Sequence, residues 1–478
     1  MHEITDETRF FECIGMIKQK IRPDPSECQK IQTEINRLME LLSTPDQEKG
    51  YVPKELGPHG STGVKQTQLR NDSDIDFFIG FEIEQKYLPK DFSWNKKLQI
   101  PLDEQKAFFK RISNEIIIPR LQKNGYSNII LSYAEHPYVS ATAGTIQIDI
   151  VGYYCIPESY LFEFGPISAV DRTPFHSKYV INHITESIRN DIRVMKFFMK
   201  RCQAYGEKSI IGRSGFIGYA LELLMIHFGS LKEFCIHFDD LQHSIIDPYN
   251  RQPNYLKNHP RYANDFLIIM DPTDKLRNVG SSIDPISYFH IRDKLNAFMQ
   301  NPDPSYFEPS IPNDYDLSKE NHEDLKKFFF IEVRNPNRYH FTKIRDKLAS
   351  LGFKLEKMAH NKDLLIDFNG IRSETLCNEE EDRYSLMVYV ENPILSPTTK
   401  FKGPKLTANK EALLNIEKFR TKHGDKVMQM GNHLYAEVPR KMTEFKEFFN
   451  EIISQNLDPD YNILGKGVLA DLLLEHQE

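Results

Sequence analysis

Apolar residues between positions 5 and 21 fall at Phe10, Cys13, Ile14 and Ile17, one face of a helix. The RPDPS stretch breaks the pattern. Asp24 then stands as an N-cap with Pro25 at the first helical position, and a second helix runs to about Leu42. Both helices read as a packing scaffold for the strands that follow. At Asp74-Ile75-Asp76 the period changes to two and leads into the apolar run Phe77, Phe78, Ile79. Residues 85 to 101 read as a charged loop carrying the only tryptophan, Trp94, and 103 to 123 as an amphipathic helix. NIILSYAEHPYV and GTIQIDIVGYY read as a hairpin-like pair of strands. Residues 176 to 225 are helical in pattern, with Ile188, Ile192, Met195 and Met199 near one face. The stretch GFIGYALELLMIHFGS reads as the apolar core helix of a central domain, and DFLIIMDPTDKLRNV as a strand running into a loop.

Residues 300 to 318, rich in Pro, Asp and Ser, mark the main domain boundary. Beyond it FFFIEV, TKIRDKLASLGF, DLLIDF, YSLMVYVE, KEALLNIEKFR and HLYAEV predict βαββαβ, with TEFKEFFNEII as an added helix. The chain length of 478 residues suggests about three domains. Composition is that of ordinary globular material, 40% hydrophobic and 27% charged, and no run approaches the ~18 apolar residues of a membrane span. The polar, acidic start does not read as a signal peptide. Six scattered cysteines without a Cys-x-x-Cys pair point to reduced thiols in a cytoplasmic protein and no zinc site. The net charge of −7 excludes a protein coated in basic charge, but a local positive groove can still grip RNA.

The chemistry concentrates in residues 60 to 76, GSTGVKQTQLRNDSDID. Gly60 lets the backbone approach a phosphate and Ser61 adds a hydroxyl. On a strand Asp74 and Asp76 project from the same face. Taken alone, such a pair is more often a solvated strand end than a metal site. Joined to the turn before it and the apolar run after it, it reads as a nucleotidyl-transfer site, because paired carboxylates with substrate phosphates suit Mg²⁺. Asp149 lies in an apolar strand, on the face opposite Ile146, Ile148 and Ile150. A buried, unpaired carboxylate is costly, so Asp149 is either the third acid of this site or an edge residue facing water.

The succession Gly60-Ser61, Asp74-Ile75-Asp76, AEHPYV (134 to 139), Ile148-Asp149-Ile150, VDRTPFH (170 to 176), SGFIGYALELL (214 to 224) and DPTDKLRNV (271 to 279) resembles the archaeal-type, or class I, tRNA CCA-adding enzymes. The close motifs run from about 57 to 300. The resemblance implies an α+β protein: a nucleotidyltransferase (polymerase β-like) head at 1–154, a helical central nucleotide-binding domain at 155–318 and an RRM-like, tRNA-binding tail at 319–478. The implied reaction is template-independent addition of C, C and A to the tRNA acceptor arm from CTP and ATP, with Mg²⁺ held by Asp74, Asp76 and Asp149. Gly60, Ser61, Lys65 and Thr67 would cradle the triphosphate. His176, Lys196, Tyr205 and Arg277 match positions that contact the incoming nucleotide. Read bare, Lys196 is a surface lysine, Tyr205 a helix-end aromatic and Arg277 a surface residue in a turn. The family commonly has Gly-Ser-x-x-Arg-x-Thr; here the spacing is one residue longer and Lys65 stands in place of the arginine, keeping the charge without the bidentate fork.

Glu135 and His136 would place the growing RNA end. The tail lacks the aromatic-basic consensus for base stacking, so phosphate contacts from residues such as Arg338, Lys343 and Lys402 are expected instead, each weighed against ordinary solvated charge. Homodimerisation stays open. Two other readings remain at this point: a homopolymer- or oligoadenylate-type transferase on the same head, and an RNA-binding protein with an inactive head.

Overall fold

Helix α1 (Glu7–Ile21) starts at Asp6, whose carboxylate accepts from the Arg9 amide, and α2 (Pro25–Ser43) starts at Asp24, which accepts from the Ser26 amide. The proline-rich turn between them sends the two helices to different cores. Ile31, Ile35, Leu38 and Leu42 of α2 pack with the strands of the first sheet. Phe10, Cys13, Ile14, Ile17 and Ile21 of α1 pack instead with the helices that follow residue 185. The expected scaffold role therefore holds for α2 and not for α1. The computed structural model describes residues 3–72, 74–89, 94, 96–133, 137–206, 215–308, 321–335, 341–361, 365–378, 382–406, 410–457, 459 and 461–471. The chain divides into two units, Met1–Pro312 and Asn313–Glu478.

In the first unit β1 (Glu55–Pro58) and β2 (Asp74–Phe81) are followed by α3 (Leu102–Ile112), a π-turn at Ser113–Ile117 and α4 (Ile118–Lys123). Pro119 lacks the amide that a continuous α-helix needs, which accounts for the irregularity in the expected single helix. The expected hairpin is three strands, because the first predicted stretch supplies two that pair with each other: β3 (Ser127–Tyr133), β4 (Pro137–Ala143) and β5 (Ile146–Tyr154). The sheet order is β1-β2-β5-β4-β3, with β2 and β5 parallel and the other neighbours antiparallel. Trp94 packs edge-on against Tyr160, 5.3 Å between ring centres.

The chain continues through α5 (Glu158–Phe164), α6 (Thr173–His183), α7 (Glu186–Arg201), α8 (Gly218–Phe228), α9 (Leu231–Ile236), β6 (Ile245–Ile246), α10 (Pro253–Lys257), β7 (Ile268–Ile269) and α11 (Pro285–Gln300). Helices α1, α7, α8, α9 and α11 build the second core around Phe198, Leu224, Phe234 and Phe298.

The second unit contains α12 (His322–Leu325), β8 (Phe328–Arg334), α13 (Phe341–Met358), β9 (Arg372–Asn378), β10 (Arg383–Tyr389), β11 (Thr398–Lys405), α14 (Lys410–His423), β12 (Val427–Met430), β13 (His433–Pro439), α15 (Phe445–Asn456) and β14 (Asn462–Val468). Its main sheet is antiparallel in the order β14-β8-β10-β9. With α13 and α15 this is a βαββαβ arrangement, but not from the expected segments. Helix KEALLNIEKFR and strand HLYAEV belong to an insertion, β11-α14-β12-β13, with its own sheet in the order β11-β13-β12 and its own small core of Phe419, Leu434 and Ala436. The second helix and fourth strand of the fold are α15 and β14. Nor do the described residues of DLLIDF, 365–368, form a strand. Ile366 and Phe368 are buried in loop, and the more polar RSETLCN pairs with β10 instead. No described helix is long and apolar enough to cross a membrane.

Candidate active site

The parallel register of β2 and β5 sets Asp76 directly beside Asp149, with Asp74 two residues earlier on the same face of β2. Ser140 on β4 sits opposite Asp149 and donates to its Oδ1 at 2.5 Å. Gly60 adopts φ +64°, and a Cβ there would lie 1.9 Å from Asp76 Oδ2. The Gly-Ser turn therefore rests against the Asp76 carboxylate, and the His59 amide donates to the Asp76 carbonyl at 2.8 Å. Part of Asp76 still meets solvent, yet its carboxyl is crowded on most sides. Burial first, then the charges of Asp149 and Asp74, push its pKa up to about 6. Among the described residues no three acidic, histidine or cysteine side chains converge into a preformed cage. An open set of mutually repelling oxygen donors is what a divalent cation completed by substrate oxygens requires.

Next to the acids stands a buried charged cluster. Lys65 Nζ donates to Glu222 Oε2 at 2.7 Å, and Thr67 Oγ1 donates to Glu222 Oε1 at 3.0 Å. Lys196 Nζ, from α7, donates to Thr67 Oγ1 at 2.8 Å and reaches Glu222 Oε1 at 3.3 Å. Lys196 is thus an interior residue, 4% exposed, and burial lowers its pKa to about 8 despite the attraction of Glu222. Tyr205 is half-buried, and burial raises its pKa. Its hydroxyl lies close to Gly218, where a Cβ would come within 2.9 Å of it. The loop carrying Ser61 to Gln68 is pinned from α7, with Arg189 Nε donating to the Lys65 carbonyl at 3.1 Å and Arg193 Nε to the Gln68 carbonyl at 3.2 Å.

A third cluster joins the VDRTPFH and DPTDKLRNV segments. His176 Nε2 and Arg277 Nη1 meet the same oxygen, Asp271 Oδ2, at 2.8 and 3.1 Å. Tyr219 donates to Asp271 Oδ1 at 3.2 Å, and its ring stacks on His176 with centres 3.9 Å apart. Asp271 is fully buried. Its pKa is held well below the usual carboxylate range because His176, Arg277 and the Thr273 amide outweigh the burial that opposes them. Arg172 pairs with Asp274 at 3.1 Å. Arg277 is accordingly an ion-paired residue, 26% exposed at its side chain. Lys65 Nζ and the Arg277 guanidinium each lie 5.9 Å from the centre of the Tyr219 ring, so this ring connects the second and third clusters.

The family model for the second domain of tRNA nucleotidyltransferases matches residues 190–308, a span that holds Lys196, Tyr205, Glu222, Asp271 and Arg277. Over 438 residues the sequence is 28% identical to the CCA-adding enzyme of Picrophilus torridus, covering 91% of this chain and 88% of that one. Against the CCA-adding enzyme of Methanocaldococcus jannaschii it is 26% identical over 453 residues, covering 93% and 91%. Over most of its length this chain is similar to archaeal CCA-adding enzymes. The CCA-adding enzyme of Saccharolobus islandicus is 34% identical over 250 residues, 52% of this chain and 51% of its own. Among solved structures, Cid1, an RNA terminal uridylyl transferase, aligns at 14% identity and a TM-score of 0.45 over 64% of this chain and all of its own.

Against the residues expected from the family, the structure brings Gly60, Asp74, Asp76 and Asp149 together, then Lys65, Thr67, Lys196 and Tyr205, then His176 and Arg277. Ser61 is half-buried on the turn, and its carbonyl accepts from the Thr67 amide at 2.8 Å. Glu135, His136 and Arg338 lie outside the described residues. Lys343 and Lys402 are exposed on α13 and β11 of the second unit. Tyr219, Glu222 and Asp271 are among the cluster members that went unnoticed in the sequence. A signal for Glu222 was available, since it is a lone carboxylate inside the apolar run GFIGYALELLMIHF and a buried carboxylate needs partners. Tyr219 and Glu222, three apart, share one face of α8, so the helix expected only as core supplies both clusters.

Proposed function

We infer that this protein adds C, C and A to the 3′ end of tRNA from CTP and ATP, without a nucleic-acid template, releasing pyrophosphate. The observation that carries the reading is the β2/β5 register, which sets Asp76 beside Asp149 and against the Gly60 turn, next to a buried pair of lysines. Asp74, Asp76 and Asp149 would hold Mg²⁺, which when bound neutralises phosphate charge and aligns the attacking and leaving oxygens. Gly60, Ser61, Lys65 and Thr67 hold the triphosphate, with Lys196 and Tyr205 beside them. The tRNA 3′-oxygen bonds to the α-phosphorus, the bond from that phosphorus to the pyrophosphate oxygen breaks, and Asp149 accepts the hydroxyl proton. Arg277, fixed together with His176 on Asp271, offers a planar set of donors for the base.

Residues 1–154 act as the head, 155–318 as the nucleotide-binding centre and 319–478 as the tRNA-binding tail. Glu135 and His136 guide the growing end, while Arg338, Lys343 and Lys402 meet RNA phosphates. All six cysteines are free thiols, which suits work in the cytoplasm.

The test uses tRNAs ending before, within and after CCA, with labelled CTP and ATP and added Mg²⁺. The expected product stops at CCA, and Asp76→Ala abolishes addition of both C and A while tRNA binding stays intact. A homopolymer product would move the protein to the neighbouring transferase class, and no Mg²⁺-dependent incorporation at all would refute the enzyme.

A further inference from the structure

Glu222 is 1% exposed on α8, inside a helix whose other buried residues are apolar. A carboxylate in such a place is retained only if its partners compensate its lost hydration. Those partners come from two other segments. Lys65 and Thr67 belong to the loop after Gly60, and Lys196 to α7. The contacts close into a ring in which Lys196 donates to Thr67, Thr67 to Glu222, and Lys65 to Glu222 from the other side. The two lysine side chains are only 9% and 5% exposed, so each ammonium has little water and lies in the field of the other. Without an anion between them, the two like charges would repel and one side chain would turn outward. Two ammoniums and one carboxylate leave a single positive charge facing the site, enough to attract a polyanion without two cations driving each other apart.

We propose that Glu222 is a positioning residue for the incoming triphosphate: it holds Lys65 in place before the nucleotide arrives. This rests on the nucleotide-binding reading above. The two oxygens of Glu222 are used differently, which makes the proposal specific. Oε1 serves Thr67 and Lys196, whereas Oε2 serves Lys65. In Glu222→Gln the amide oxygen can keep the Thr67 and Lys196 contacts. The amide nitrogen then points donors at a lysine that has only donors to offer, so Lys65 is the residue released.

The experiment is a double-mutant cycle of Glu222→Gln and Lys65→Met. It is read as KM and kcat for CTP and for ATP in tRNA extension. A second readout is equilibrium binding of a non-hydrolysable CTP analogue with Mg²⁺ and no tRNA. Glu222→Gln should raise KM about tenfold, as loss of a charged hydrogen bond does. The rise should be equal for both nucleotides, because the triphosphate is common to them, and analogue affinity should fall alongside. In the Lys65→Met background the same change should have almost no further effect. An unchanged KM, a rise confined to one nucleotide, or an equal rise with and without Lys65 would overturn the proposal. If thermal melting shows Glu222→Gln unfolded at the assay temperature, Glu222→Asp takes its place in the cycle. It keeps the charge but draws it back by one methylene, and it is judged by the same criterion of dependence on Lys65. A wild-type protein that binds the analogue but extends no tRNA would refute the reaction and leave the Glu222 result standing on the binding arm. An active wild type with a flat cycle would refute Glu222 alone.

Discussion

Replacing Gly60 with alanine should separate catalysis from folding. The alanine Cβ would fall 1.9 Å from Asp76 Oδ2 and 2.9 Å from its Cγ, whereas ordinary contact begins near 3.4 Å, so the carboxylate must retreat by about 1.5 Å. What retreats is the end of a side chain, which is cheap for the fold. The backbone adds its own strain, because φ is +64° at Gly60 and an L-residue there costs ~1–2 kcal/mol. That strain corresponds to a fall in melting temperature of a few degrees, at roughly 2–4 °C per kcal/mol for domains of 150–250 residues. The catalytic loss should be much larger, since displacing a reacting group by ~1 Å can cost ~100-fold. Gly144, in the turn between β4 and β5, is the matched control. It has φ +63° but nothing within 4 Å of its added Cβ. Gly144→Ala should melt lower by a similar amount and keep its activity. The assay is single-turnover incorporation of CMP into tRNA lacking CCA, with melting followed in parallel. Gly60→Ala retaining more than about a third of wild-type activity would refute the close approach of turn and carboxylate that this estimate uses.

Asp271→Asn removes the charge that His176 and Arg277 share, so misincorporation of UTP or GTP relative to CTP should rise about tenfold; uniformly slower addition with unchanged selectivity would count against it. Lys196 is held near pKa 8 chiefly by burial, aided by the charges of Lys65 and Lys200 and opposed by Glu222. Its ammonium is present below that pH and lost above it, so KM for ATP should be lowest on the acid side and climb as pH rises through about 8; a KM that stays flat on the alkaline side would remove Lys196 from the phosphate site. Lys402→Ala, on an exposed face of β11, should weaken tRNA binding uniformly and reduce the log–log salt slope by ~1; binding across a salt series with an unchanged slope would exclude that contact.

Local pattern was enough to find the strand bearing Asp74 and Asp76, the cap of α2, and the place of Asp149 on an apolar strand. Each is written in residues a few positions apart, where a period of two or 3.6 or a capping side chain acts directly. Pairing across the chain was not written there. Glu222 finds Lys65 at a separation of 157 residues and His176 finds Asp271 at 95, contacts that exist only once the helices have packed. The second unit shows the same division. DLLIDF has the composition of a strand, yet Ile366 and Phe368 fill the core from a loop. RSETLCN, far more polar, becomes a strand because β10 offers its backbone partners and one face can remain in water. Likewise α14 and β13 carry sound helix and strand patterns, and nothing local to them says that they fold among themselves. The sequence by itself determined which segments could be helix or strand and which acids share a face. Tertiary structure decided which core each segment joins and which charge meets which, because burial and pairing depend on neighbours that sequence spacing does not name.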